Sequence, residues 1–234
     1  MNKQGLWLCL SMLGATPLAQ ADSYLSTGAY YLQGQNDFSE QTPVTSVSIP
    51  LHFAHYEQDW QWSISTAWHQ IETEENEIKD TTQGLGDSFF QLGYTWQSAP
   101  YLTSFVSYKL ATGDADKGLS TGEDDLGFRL EVFQTVTETT SVFGHIGYSL
   151  NGKVVGSDIQ NTQSASIGLG HSFGAHQFSL ASRYQQSLYQ SLDDQTALEA
   201  MVSIAATPRI TFSLLGSYDN TETQTLGLLI SRRF

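Results

Sequence analysis

The chain has 234 residues, with 24 acidic against 10 basic side chains and a formal net charge of −14. That balance excludes a nucleic-acid binder, which would need a basic stripe to neutralise phosphates. No apolar run reaches the ~18 to 20 residues of a membrane-spanning helix, and a single cysteine, Cys9, rules out an internal disulfide framework.

Residues 1–21 predict a secretory signal peptide: Lys3, the short apolar core "GLWLCLSML", then "LAQA" with an A-x-A pattern before Asp22. Cys9 falls inside it, too near the start and behind a bulky Leu8 for a lipoprotein site. The expected mature domain, 22–234, has no cysteine and carries 9 basic against 24 acidic residues, a net −15. It is long enough for one sizeable domain.

From Tyr24 onward the apolar residues alternate, which is the strand period. Val47, Ile49, Leu51 and Phe53 alternate with Ser46, Ser48, Pro50 and His52. Next come Trp60, Trp62, Ile64 and Trp68, then Phe90, Leu92, Tyr94 and Trp96, then Leu126, Phe128, Leu130 and Val132. Val142, Ile146, Tyr148 and Leu150 follow, with Ile167 and Leu169, and Phe178, Leu180 and Tyr184 after them. Leu198, Val202 and Ile204 precede Ile210, Phe212, Leu214 and Tyr218, and the chain ends on Leu226, Leu228, Ile230 and Phe234. About twelve strands result, most near the ~9 to 11 residues that cross a bilayer.

Their connections alternate in kind. "YEQD", "QSAP", "TVTE", "GA" and "TP" are tight. "GQNDFSEQT", "IETEENEIKDTTQ", "ATGDADKGLSTG", "NGKVVGSDIQN" and "QSLYQSLDDQ" are long and mostly acidic, and only "DNTE" is brief among them. One rim of turns and one of extended loops is the layout of an outer-membrane barrel. A soluble β-sandwich also alternates strands and turns. It gives no reason, however, for Trp60, Trp62, Trp96, Tyr101, Phe173 and Phe178 beside the turns and Trp68, Tyr108, Tyr148, Tyr184 and Tyr218 near the loop ends. Two aromatic rings flanking an aliphatic band suit two membrane interfaces. The expected fold is therefore all-β, a closed antiparallel transmembrane β-barrel of about twelve strands, in which every backbone group is paired within lipid.

"KLATGDADKGLSTGEDD" (109–125) has acids at the first, third and twelfth positions of a calcium loop counted from Asp114. The fifth position is Gly118 and the sixth Leu119, where such a loop needs an oxygen ligand and a glycine. The flanking segments read as strands, so an outer-rim loop is expected, its glycines serving turns and its acids facing water.

"GLGDSFFQLGYTW" (84–96) and the stretch 107–132 resemble the outer-membrane proteins named for the MetA pathway of phenol degradation. Gly84, Gly86 and Asp87 match that family's G-x-G-D strand. Lys109, Leu110, Thr112, Gly113 and Asp114 match its K-L-P-T-G-D segment, with Ala111 at the proline position, and Gly122 and Asp125 suit the third element. The resemblance covers about fifty residues and implies transport of small, often aromatic, compounds. "TLGLLISRRF" resembles the terminal signal read by the barrel-assembly machinery, with Arg232 where an aromatic residue is usual.

The strand face opposite the apolar one presents Ser46, Ser48, His52, Ser63, Ser65, Gln91, Thr103, Ser107, Lys109, Arg129, Glu131, His145, Arg183, Gln185 and Glu199. Two readings stand: a hydrated pore whose charges select solute, or a lumen knitted shut by ion pairs. Lys109, Arg129, Glu131, Arg183 and Glu199 are the pore-lining candidates. A basic channel for acidic sugars is disfavoured, since basic residues do not predominate. A lipid hydrolase would need a Ser and His in hydrogen-bonding reach; His171 and Ser172 are neighbours on a strand and point to opposite faces. A structural or adhesive barrel is the other alternative. No catalytic, cofactor or metal motif emerges, and the expected partners are outer-membrane lipid, lipopolysaccharide, the assembly machinery and a small solute.

Overall fold

The computed structural model describes residues 22–36, 42–75, 78–154 and 156–234. The segment 1–21, expected to be a signal peptide, lies outside them. The strands are β1 (Asp22–Asn36), β2 (Thr42–Glu57), β3 (Trp60–Glu75), β4 (Ile78–Leu85), β5 (Ser88–Trp96), β6 (Tyr101–Leu110), β7 (Asp125–Thr135), β8 (Thr140–Leu150), β9 (Thr162–Phe173), β10 (His176–Gln185), β11 (Gln195–Thr207), β12 (Ile210–Asp219) and β13 (Gln224–Arg233).

All pairings are antiparallel, and the sheet closes because β1 pairs with both β2 and β13 while β2 also pairs with β3. The seam is tied at its turn-side end. Arg233 holds Asp22 through two hydrogen bonds of 2.7 Å, and the Phe234 amide donates to the Ser23 carbonyl at 2.9 Å.

Twelve staves make the barrel, not thirteen. β3 pairs with β5 over Trp60–Ser65 and with β4 over Trp68–Glu75, so β4 and β5 share one position around the wall. The chain steps between them at Gly86, whose amide donates to the Ala67 carbonyl at 2.8 Å. A Cβ on Gly86 would sit 2.6 Å from the His69 ring, so glycine is what lets the wall break there.

Expecting a loop over Ile71–Gln83 understated the strands. β2 and β3 have 16 residues each, about 50 Å at ~3.3 Å per residue, roughly twice the ~25 Å apolar band of a bilayer. The ladder runs on above the rim as a hairpin carrying Glu72, Glu74, Lys79 and Asp80, with Lys79 bonded to Glu72 at 2.7 Å. Charged tips belong in water, and the backbone pairing needs no lipid to continue.

Every outward alternation puts its apolar side chains on the surface. Leu92, Tyr108, Phe128, Tyr148, Leu180 and Leu228 are all exposed large hydrophobics, with Trp60, Trp62 and Trp96 at the turn-side rim. In water each would forgo ~1.5 to 3 kcal/mol of burial. An apolar belt of this extent around a closed barrel places the protein in the outer membrane. Tyr101 departs from the expected girdle: it shares the inward parity of Thr103 and faces the lumen.

Candidate functional site

The lumen is filled unevenly. Along the contiguous arc β1, β13, β12, β11, the inward residues Tyr30, Leu229, Leu215 and Met201 pack into one buried cluster. Tyr30 lies flat over Gly227, its cross-strand partner, where a Cβ would meet the ring at 2.4 Å. Ser26 bonds Ser231 and Ser203 bonds Ser213, both at 2.8 Å, so these four serines of the arc are paired with one another.

The opposite arc leaves a cavity of about 570 Å³. Its lining runs from Gln58 and Gln97 at the turn-side rim to Leu119 and Leu188 under the long loops. Serines dominate the wall: Ser46, Ser48, Ser63, Ser65, Ser107, Ser149, Ser164 and Ser166 all contribute. Phe89, Phe105, Phe133 and Phe143 interrupt them. These aromatic linings were missed in the sequence, although Phe105 shares the parity of Thr103, Ser107 and Lys109, which was the available signal.

The five pore-lining candidates separate into three ion pairs. Lys109 is buried, with its ammonium 2.5 Å from Asp125 and 3.8 Å from Asp87, and it donates to Thr121 at 2.8 Å. Arg129 and Glu131 stand two residues apart on β7, Nε to Oε1 at 2.9 Å, and the guanidinium lies 4.7 Å over the Phe105 ring. Both line the cavity. Arg183 of β10 and Glu199 of β11 form a diagonal pair at 2.9 Å, each side chain 4 % exposed, at the edge of the packed arc and outside the cavity lining. Strand geometry accounts for all three: Lys109 and Asp125 are directly opposite across β6 and β7, Arg183 and Glu199 are diagonal across β10 and β11, and Arg129 and Glu131 lie two apart on the same face of β7. The charges in the cavity wall are therefore few: two cations, Lys109 and Arg129, face three carboxylates, Asp87, Asp125 and Glu131.

Cross-strand register also joins serine to histidine, which adjacency in sequence did not predict. Ser48 is 2.8 Å from His69, Ser166 is 2.7 Å from His145 and Ser23 is 2.9 Å from His55, each at Nδ1. Glu131, directly opposite His145, is held by Arg129. The arrangement orients each of these rings within the wall.

At the outer mouth the residues of the family-like motif converge. Gly113 donates to Asp87 at 3.1 Å, Thr112 donates to the Gly86 carbonyl at 3.2 Å, and Ala111 donates to Asp124 at 2.9 Å. Tyr108 also donates to Asp124, and these two bonds hold the Asp124 carboxyl below its ordinary value of 3.8, the Tyr108 bond being the larger cause. Asp114 accepts from the Lys117 amide at 3.2 Å, whereas Asp125 turns to Lys109 and accepts from Gly152 at 2.8 Å. The two acids that would end a calcium loop therefore serve different partners. Residues 114–117 are exposed, so Asp114 and Asp116 face water as expected, while Leu119 and Ser120 fold inward and are buried. Positive φ at Gly118 (66°) and Gly122 (80°) makes that inward fold possible.

Neighbouring loops complete the roof. The Gln160 amide donates to the Leu188 carbonyl at 2.9 Å, Ile159 bridges Tyr189, and the Ser191 amide donates to Asp158 at 2.9 Å. Asn220 reaches across to the Asp194 carbonyl at 3.0 Å.

No family model matches the chain, and no curated protein matches it in sequence. Solved structures do match in shape. The KdgM porin in complex with disordered oligogalacturonate superposes with a TM-score of 0.64 at 8 % identity, covering 90 % of this chain and 99 % of that one. The translocator domain of the autotransporter NalP from Neisseria meningitidis gives 0.60 at 11 %, covering 95 % and 90 %. The NanC porin gives 0.59 at 12 %, covering 89 % and 98 %. Porins and a translocator domain alike share this barrel, so the chain has the fold of outer-membrane β-barrels, and what it does must be read from its lumen.

Proposed function

We propose that this barrel is a channel for passive diffusion of small, uncharged molecules, aromatic ones included, across the outer membrane. The observation that carries the reading is the eccentric cavity whose lining extends from the turn-side rim to the loop roof. Its serines, threonines and glutamines offer exchangeable hydrogen bonds, and its phenylalanines offer flat apolar contact. Its charges are engaged with one another, so the wall provides no track for a highly charged solute. In this it contrasts with what an acidic oligosaccharide, the ligand in the KdgM structure, would need. The motif network at Asp87, Lys109 and Asp125 supports placing the chain with the MetA-pathway family. The exposed terminal Phe234 supports recognition by the assembly machinery, and the outward belt supports contact with lipid and lipopolysaccharide.

Reconstitution into liposomes tests the proposal. Swelling in neutral sugars and aromatic glycosides should exceed swelling in charged solutes of equal size. If bilayer conductance and swelling both equal those of protein-free liposomes, transport is wrong and a structural or adhesive role takes its place.

A further inference from the structure

We propose that Leu119 is the specificity-determining residue of the channel, the loop-borne part of an apolar collar that admits weakly hydrated solutes and holds back strongly hydrated ones. This deepens the transport reading and rests on it. Leu119 is carried by the β6–β7 loop but buried at 6 % exposure, packed with Val44 of β2 and Ile71 of β3 on the inner face of the strands that rise above the rim. All three side chains line the cavity, joined by Leu32 of β1. One side of the outer mouth is thus apolar, whereas the wall below it is largely serine. A solute that keeps a tight water shell must shed the part that faces the Leu119, Val44 and Ile71 cluster, since those side chains offer no hydrogen bonds in return. A ring or a deoxygenated face crosses at little cost.

The loop is set at this position by specific bonds. The Leu119 amide donates to the Asp114 carbonyl at 2.9 Å, closing the turn that aims the side chain inward. Two residues on, Thr121 accepts from Lys109, which is itself fixed by Asp125 and Asp87. Asp87 also accepts from Gly113 at the start of the loop. Lys109 is therefore a positioning residue: it pins both ends of the segment that carries Leu119, and it belongs to the barrel wall, so the collar's width is referred to the barrel itself. A Cβ at Gly84 would meet the Leu119 Cδ1 at 2.7 Å, so β4 leaves just enough space for the leucine tip.

The test uses the full mature barrel refolded into liposomes and planar bilayers, as wild type, Leu119→Ala and Lys109→Met. Folding of each is checked by the shift in electrophoretic mobility on heating. Probes are potassium chloride for conductance and arabinose, glucose, sucrose and p-nitrophenyl glucoside for swelling. Leu119→Ala should raise conductance by about twofold or more, as expected on opening an apolar constriction. It should also reduce the preference for the nitrophenyl glucoside over sucrose. Lys109→Met should shift both in the same direction while leaving the collar residues in place. A folded Leu119→Ala barrel with wild-type conductance and the same solute ranking, in a wild type that does conduct, overturns the collar alone. Silence in the wild type and both variants overturns transport and the collar together.

Discussion

Replacing Arg183 with Met while Glu199 remains leaves a carboxylate at the edge of the packed arc of the lumen with no cationic partner among the described residues. Each side chain is 4 % exposed and they meet at 2.9 Å. The pair is already incompletely satisfied, since Arg183 Nη1 and Glu199 Oε2 are buried without a hydrogen-bond partner among the described residues. Breaking a buried pair of this kind costs about 3 to 5 kcal/mol because the surviving charge stays desolvated. At ~1.4 kcal/mol per decade, that is two to three and a half decades in the folding constant. Replacing both partners, as Arg183→Met with Glu199→Leu, removes both desolvation penalties and should return stability to near the wild type or above it.

Urea-dependent folding into lipid vesicles measures this, with the rim tryptophans Trp60, Trp62 and Trp96 reporting insertion. The two single variants and the double variant form a cycle whose coupling should be several kcal/mol. Neither residue lines the cavity, so channel conductance of the folded double variant should match the wild type. If either single variant costs less than ~1 kcal/mol, as an exposed pair would, the pair is solvated and water reaches this side of the lumen.

Four further outcomes follow from the same structure. Gly28→Ala places a Cβ 2.0 Å from the Leu228 carbonyl oxygen across the β1–β13 seam, a backbone contact that cannot yield by rotation; refolding should weaken by ~1 to 3 kcal/mol, read as a lower urea midpoint. Leu228→Arg on the lipid face should cost ~2 to 4 kcal/mol, whereas Ser63→Arg on the cavity wall should fold normally and lower conductance, read by the same two assays. Arg129→Gln leaves Glu131 uncompensated in the cavity wall, and bilayer reversal potentials should shift toward cation preference. The Asp124 carboxyl is held below its usual value in the folded loop, so its contribution is complete above the unfolded value near 3.8 and is lost as pH falls through the lower folded value. Protease cutting between Asp114 and Gly122 should therefore rise on acidification below about pH 4, and Asp124→Asn should cut readily at neutral pH with a flatter pH profile.

Much of the barrel was legible because period-2 alternation fixes which face each residue joins once the sheet is closed. Val47, Ile49 and Leu51 point outward for that reason alone, and Ser46, Ser48 and His52 point inward. Register was not legible. Nothing in the local sequence says that Lys109 lies opposite Asp125, or that His145 stands between Glu131 and Ser166. Those pairings are set by the stagger of whole strands. The rise of β3 and β4 above the rim was hidden by composition: Glu72, Glu74, Glu75, Lys79 and Asp80 read as loop because strands are usually depleted in such residues, yet an aqueous hairpin tolerates them. Leu119 was hidden for the opposite reason, a single apolar residue in a glycine-rich acidic stretch with no periodic partner to mark its side.

Parity alone makes every inward position equivalent, so it cannot say whether the barrel is filled or hollow. The difference lies in which strands carry the large inward residues. Tyr30, Met201, Leu215 and Leu229 belong to four staves that are neighbours only because the first strand closes onto the last. Had they been spread around the wall, each would have projected alone into water and the lumen would have been evenly narrowed. Grouped on one arc, they bury one another, and Ser26, Ser203, Ser213 and Ser231 bond in pairs around them. The far arc then needs no bulk to stabilise it. Its serines can stay hydrated, and the wall between Ser46 and Ser166 is free to face a passage. Stability and permeability are thereby assigned to different sides of one sheet. A substitution that enlarges a cavity-facing serine should change flux at little cost in folding, and one that trims Leu215 should do the reverse: Leu215→Ala should cost about 2 to 5 kcal/mol and leave conductance unchanged, a result that a uniformly hydrated lumen would not produce.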